Sequence, residues 1–154
     1  MDYKFTFKEA LLGLTTVVAW ADGENQQAEI DTRVTMILNE NISNDEFNAF
    51  KVKYDEINSL EFTYQECIKG LQKLTIEEKS KALAWMWEVA NVGTPDEEDM
   101  VDLGNLEAVE EWQKRNNYVG LEELSWINRA KKELNVSLTE IKKAFSLLPA
   151  AKRI

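Results

Sequence analysis

The stretch Ala10-Leu11-Leu12-Gly13-Leu14-Thr15-Thr16-Val17-Val18-Ala19-Trp20-Ala21-Asp22-Gly23 decides the fold. From Ala10 to Trp20 it carries no charge, and its side chains are apolar almost all round at helical spacing. A helix without a polar face belongs in the middle of a bundle. Asp22-Gly23 closes it, because glycine takes the left-handed conformation that ends a helix and Asp tolerates turn geometry. A second stretch has the same character: Ala82-Leu83-Ala84-Trp85-Met86-Trp87, followed by Val89-Ala90. The two are expected to pack together as central helices, wrapped by amphipathic ones, with Trp85 and Trp87 in the core.

Working outward, the rest of the chain reads as helix nearly throughout. The best start signal is the capping box, in which a Ser or Thr is followed three residues later by Glu or Gln. It occurs at Thr6/Glu9, Ser43/Glu46, Thr63/Glu66, Thr75/Glu78, Thr94/Glu97 and Ser137/Glu140. Chance placement of these residue types would give roughly 2.4 such pairs. No run alternates with period two, so no sheet is expected. The helices predicted are 7–21, 26–40, 44–57, 64–74, 76–91, 95–116, 121–134 and 138–148, with a weak stretch at Lys51–Tyr54. The fold class is all-α: one domain over residues 1–154, a bundle of about seven or eight helices.

A local repeat suggests two pseudo-repeated halves around the two central helices. Ala21-Asp22-Gly23 ends the first central helix and Ala90-Asn91-Val92-Gly93 the second. Asn41-Ile42-Ser43 with Glu46-Phe47 matches Asn135-Val136-Ser137 with Glu140-Ile141, and at that offset Glu29 falls on Glu123. On this reading roughly 94–120 is an insertion in the second half.

Composition removes much chemistry. The chain of 154 residues has no His and one Cys. That excludes Ser-His-Asp and Cys-His catalysis, His-ligated zinc, an internal disulfide and a four-Cys metal site. The six Gly are too scattered for a phosphate-binding loop, so no organic cofactor is expected. No carboxylate pair stands out for acid–base work, and the chain is read as no enzyme. Cys67 falls in a helical pattern and is expected in the core.

The net charge of −10 is unevenly placed. Between Lys81 and Lys114 there is no Lys or Arg, and that window holds nine acids. Residues 1–81 carry −6 and residues 114–154 carry +5. Direct nucleic-acid binding, which needs clustered Lys and Arg, is not expected. The acids Asp96, Glu97, Glu98, Asp99 and Asp102, with Trp112 as an aromatic anchor, are candidates for binding a protein partner, a basic one by charge. The plainer account of the acids is a solvated helical face.

Lys4 and Lys8 before an apolar run that ends in Ala19-Trp20-Ala21 imitate a secretory leader. Asp2 and Glu9 sit where leaders lack acids, and the run flows into a turn that makes sense inside a fold. No stretch is long and apolar enough to span a membrane. A cytoplasmic location is expected.

The segment Val17–Leu38 resembles the tellurite-resistance TerB family and its relatives, which include the N-terminal domain of a membrane-anchored DnaJ-like co-chaperone. The shared signature is an apolar helix, Ala-Asp-Gly, a short polar stretch and a Glu opening the next helix. Here it stands as Ala21, Asp22, Gly23 and Glu29, with Ile30, Val34, Ile37 and Leu38 following at helical spacing. The second copy departs from it, with Asn91 for Asp, an extra Val92 and the insertion before Glu123. The resemblance implies a bacterial, non-enzymatic all-α module of tellurite or stress response, whose acids hold a divalent cation or a partner. The departure in the second copy weighs against a paired metal site.

On physical grounds Asp22, Glu24 and Glu29 are the candidate ligands for Ca²⁺ or Mg²⁺, hard cations that want clustered oxygens. Turn and cap chemistry is the plainer account of Asp22 and Glu29, since an acid in a first turn is favoured by the helix dipole. A reading from another class is an acidic inhibitor or immunity-type protein that covers a basic enzyme or nucleic-acid-binding surface. Oligomeric state is not legible in the sequence.

Overall fold

The structure is a computed structural model that describes residues 5–20, 27–91 and 121–148, with the backbone alone at 27–29, 91 and 121–124. The described residues form seven helices and no strand: α1 Phe7–Ala19, α2 Gln27–Asn39, α3 Asn44–Ile57, α4 Leu60–Gln72, α5 Ile76–Asn91, α6 Leu121–Leu134 and α7 Leu138–Ser146. The chain is an all-α bundle. The predicted helix 95–116 lies outside the described residues.

Helix starts follow the capping chemistry. Thr6, Ser43 and Ser137 sit in extended backbone, and each accepts from the N–H of its partner Glu9, Glu46 or Glu140. The glutamate in turn accepts from the cap residue's own N–H. These bonds satisfy backbone donors that a helix start leaves orphaned. Backbone donation from Ser43 and Ser137 holds the carboxyls of Glu46 and Glu140 below the ordinary value. Thr75 and Glu78 exchange the same bonds at the start of α5.

One start differs from expectation. Helix α4 begins at Leu60, not at 64, because Ser59 is the cap and accepts from the Phe62 N–H at 3.2 Å. Thr63 is then an interior residue, fully buried, and its hydroxyl finds no partner among the described residues. Glu66 is buried too and pairs with Lys69 at 2.9 Å. The Ser59 cap has Phe62 where a box would have an acid, so it left no box in the sequence. Helix α3 runs unbroken through Lys51–Tyr54 and ends on Asn58 in the left-handed region.

The two apolar helices are the centre. Every residue of α1 from Glu9 to Ala19 is buried, as is every residue of α5 from Ala82 to Ala90. They pack on each other, and α1 also packs along α4. That second contact is close: a Cβ on Gly13 would stand 2.3 Å from the Cys67 Sγ. Gly70 of α4 likewise meets the Phe5 carbonyl, where an added Cβ would lie at 2.5 Å. Glycine at these two positions is therefore a packing requirement. Cys67, Trp85 and Trp87 are core residues.

The two corners that match in sequence share their local geometry. Asn41 and Asn135 both have φ 56° and close α2 and α6 in the same way. Ile42 N–H donates to Ile37 O and Val136 N–H to Lys131 O, across the same six-residue span. A buried Ile42 or Val136 and a capping box follow. Then α3 packs on α1, and α7 packs on α5. Each outer helix also crosses over, α2 onto α5 and α6 onto α1.

Candidate functional site

The sequence motif sits between α1 and α2. Helix α1 ends at Ala19, with Trp20 as its cap donating to Thr16 O, and α2 starts at Gln27. Asp22 and Glu24 lie outside the described residues, and of Glu29 only the backbone, in the first turn of α2, is described. Asp96, Glu97, Glu98, Asp99, Asp102 and Trp112 also lie outside them. Among the described residues no group of three or more acids or Cys is gathered as a metal site.

What the described residues show is how α2 sits. An amphipathic helix should turn its apolar stripe inward, and here three of its four members turn outward. Ile30, Val34 and Leu38 point to solvent, Val34 at 48% and Leu38 at 73% exposure. Thr32 and Met36 are buried instead, with Ile37 half-buried against the core. At 100° per residue, Ile30 stands 200° from Thr32, so the two sets occupy opposite faces.

Polar anchors hold α2 in that orientation. Arg33 lies over the α1 surface and donates from Nη2 to Thr16 Oγ1 at 2.6 Å and from Nε to Thr15 Oγ1 at 3.1 Å. It also reaches Leu12 O at 3.3 Å. The two threonines are buried and donate back to the Leu11 and Leu12 carbonyls, so they present lone pairs outward. A guanidinium supplies the donors those lone pairs need.

At the other end Glu40, just past α2, accepts from Lys81 Nζ at 2.9 Å and from Trp85 Nε1 at 3.0 Å. Lys8 of α1 donates to Asn41 O at 2.9 Å and fixes the corner that follows. The outer face of α2 is thus presented by a helix fixed at its middle and its end. Exposed Trp20 stands at the end of α1.

A second polar cluster joins α4 to α6. Arg129 donates to both Glu61 oxygens at 2.7 Å and stacks over Tyr64, 4.4 Å from the ring centre. Tyr64 donates its hydroxyl to Glu133 and packs on Trp126. The Arg129 guanidinium holds the Glu61 carboxyl down at about 2. Burial, then the Glu133 carboxylate, pushes the Tyr64 hydroxyl up. This is a clamp between helices: its donors and acceptors are spent on each other.

Sequence reasoning missed the inverted α2. Thr15-Thr16, the polar pair within an otherwise apolar helix, is where Arg33 docks. No family model, curated protein or solved structure matches the chain. No described helix is long and apolar enough to cross a membrane.

Proposed function

We propose that this chain is a non-enzymatic, TerB-like helical module that works by binding a protein partner along the outer face of α2. The supporting observation is the stripe Ile30, Val34 and Leu38, exposed at one-turn spacing on a helix whose opposite face is anchored. Apolar side chains in one row on a fixed helix are what a groove or a second helix reads. Asp22, Glu24 and Glu29 flank that row in sequence, and a Ca²⁺ or Mg²⁺ ion held there would order the turn beside the partner. That half rests on the sequence motif, as does the bacterial tellurite or stress setting.

The test is site-specific photo-crosslinking in the cells that make the protein. A photo-reactive residue at Val34 should give a discrete adduct, and one at Val52, exposed on α3, should not. No adduct at Val34, or the same adducts from both positions, would contradict the proposal.

A further inference from the structure

A cleft of about 780 Å³ opens where four helices meet, and it lies beyond the α2 stripe. Phe7 of α1, Asn39 at the end of α2, Ile76 and Glu77 of α5, and Lys143 of α7 with Leu147 just after it are among its lining. A cavity of that size is in the usual range for a ligand or peptide site.

Two aliphatic side chains of its walls face solvent. Ile76 is 42% exposed and Leu147 71% exposed, and both line the cleft. Its charges lean acidic: Glu40, Glu77, Glu78 and Glu140 against Lys81 and Lys143. Lys81 is already paired with Glu40 at 2.9 Å, and the other Glu40 oxygen holds the Trp85 indole. That pair is a finished floor.

Two helix starts, those of α5 and α7, also border the cleft, and their partial positive charge would suit an anion. Each is closed by its own capping box, through Glu78 and Glu140. What remains toward an incoming group is Glu77, the two capping carboxylates and Lys143, around exposed aliphatic walls. An anion or a nucleic-acid backbone is disfavoured there. An apolar anchor with basic neighbours is matched on both counts.

We propose that this cleft binds a basic, amphipathic peptide segment of a partner protein, with apolar side chains against Ile76 and Leu147 and cationic ones beside Glu77. The site is separate from the α2 face and stands without it.

The probe is a fluorescein-labelled synthetic helix of leucine and lysine, followed by anisotropy on the full chain in about 0.15 M salt. The same helix with glutamate for lysine is the comparison. The lysine helix should bind and the glutamate helix should not. Leu147→Asp and Glu77→Lys should each weaken binding about tenfold. Glu56→Lys, the same charge change on an exposed residue of α3, should have less than about a twofold effect on a screened surface. Amide shifts on titration should fall on 76–81 and 140–148. Absent binding, an equal loss with Glu56→Lys, or shifts centred on α2 would overturn the proposal. So would binding that appears only after residues 149–154 are removed, since the cleft would then belong to the chain's own tail.

Discussion

Arg33 places its Nη2 2.6 Å from the Thr16 hydroxyl oxygen, and so ties the inward face of α2 to α1. A charged residue takes the inner position because α1 offers it two threonine oxygens and a carbonyl. Ile30, Val34 and Leu38 face outward on the same helix. Arg33→Met keeps much of the length and removes the donors. Hydrogen bonds to charged groups are worth about 1.5–3 kcal/mol. The variant should lose about 2 kcal/mol in urea unfolding by that measure, and amide exchange should rise first in α2. A loss confined to other helices would count against Arg33 as the anchor.

The start of α4 makes a sharper test of the local chemistry. Thr63 is buried with no hydrogen-bond partner among the described residues, and Ser59 carries the cap. Thr63→Val should stabilise the fold by about 1 kcal/mol, because it removes an unsatisfied buried hydroxyl at nearly constant shape. Ser59→Ala should cost about 1 kcal/mol, the usual value of a cap. If Thr63 were the cap, the two results would be exchanged.

Gly13 and Cys67 should behave as one unit. An added methyl at Gly13 meets Sγ at 2.3 Å, so Gly13→Ala should cost about 1–3 kcal/mol by overpacking. Cys67→Ala removes the obstructing sulfur, and the double variant should be less destabilised than the sum of the two. Simple additivity would show that α1 and α4 do not approach as closely as described.

The Glu61–Arg129 pair predicts an acid-side slope. The Glu61 carboxyl is lowered from 4.5 to about 2 by Arg129, so the folded state favours its ionised form. Its stabilisation is full above the unfolded value and is lost as pH falls from there through about 2. Both side chains are more than a third exposed, 37% and 44%, so solvent screening keeps the effect under about 1 kcal/mol. Glu61→Gln should flatten that part of a stability-against-pH curve. An unchanged curve would show that the pair contributes nothing.

Calcium or magnesium binding at the Asp-Gly turn is checked by calorimetric titration of wild type and Asp22→Ala. Binding by wild type that is lost in the variant is expected. No heat with wild type, or equal binding by both, would remove the cation from the account.

Much of the fold was legible because its strongest features are local. Leu11–Trp20 and Ala82–Ala90 lack a polar face, and that alone places them at the centre. Thr6, Ser43, Thr75 and Ser137 announce helix starts because the bonding partner sits three residues away. Thr63/Glu66 imitated that spacing by coincidence, since both residues face inward on a helix that had already begun. The orientation of α2 was hidden because it depends on a contact between Arg33 and residues about 17 positions earlier. The cleft was hidden for the same reason, as Phe7, Glu40, Ile76 and Leu147 are brought together only by packing.

The most direct test of the central claim is the unfolding free energy of the double variant Val34→Asp with Leu38→Asp, beside Met36→Asp. If the outer face of α2 is a surface kept for a partner, the double variant should stay within about 1 kcal/mol of wild type, as exposed substitutions do. Met36→Asp should lose about 3 kcal/mol or more, as a charge buried without a partner requires. A double variant as damaged as Met36→Asp would contradict the account, because Val34 and Leu38 would then be packed within the fold.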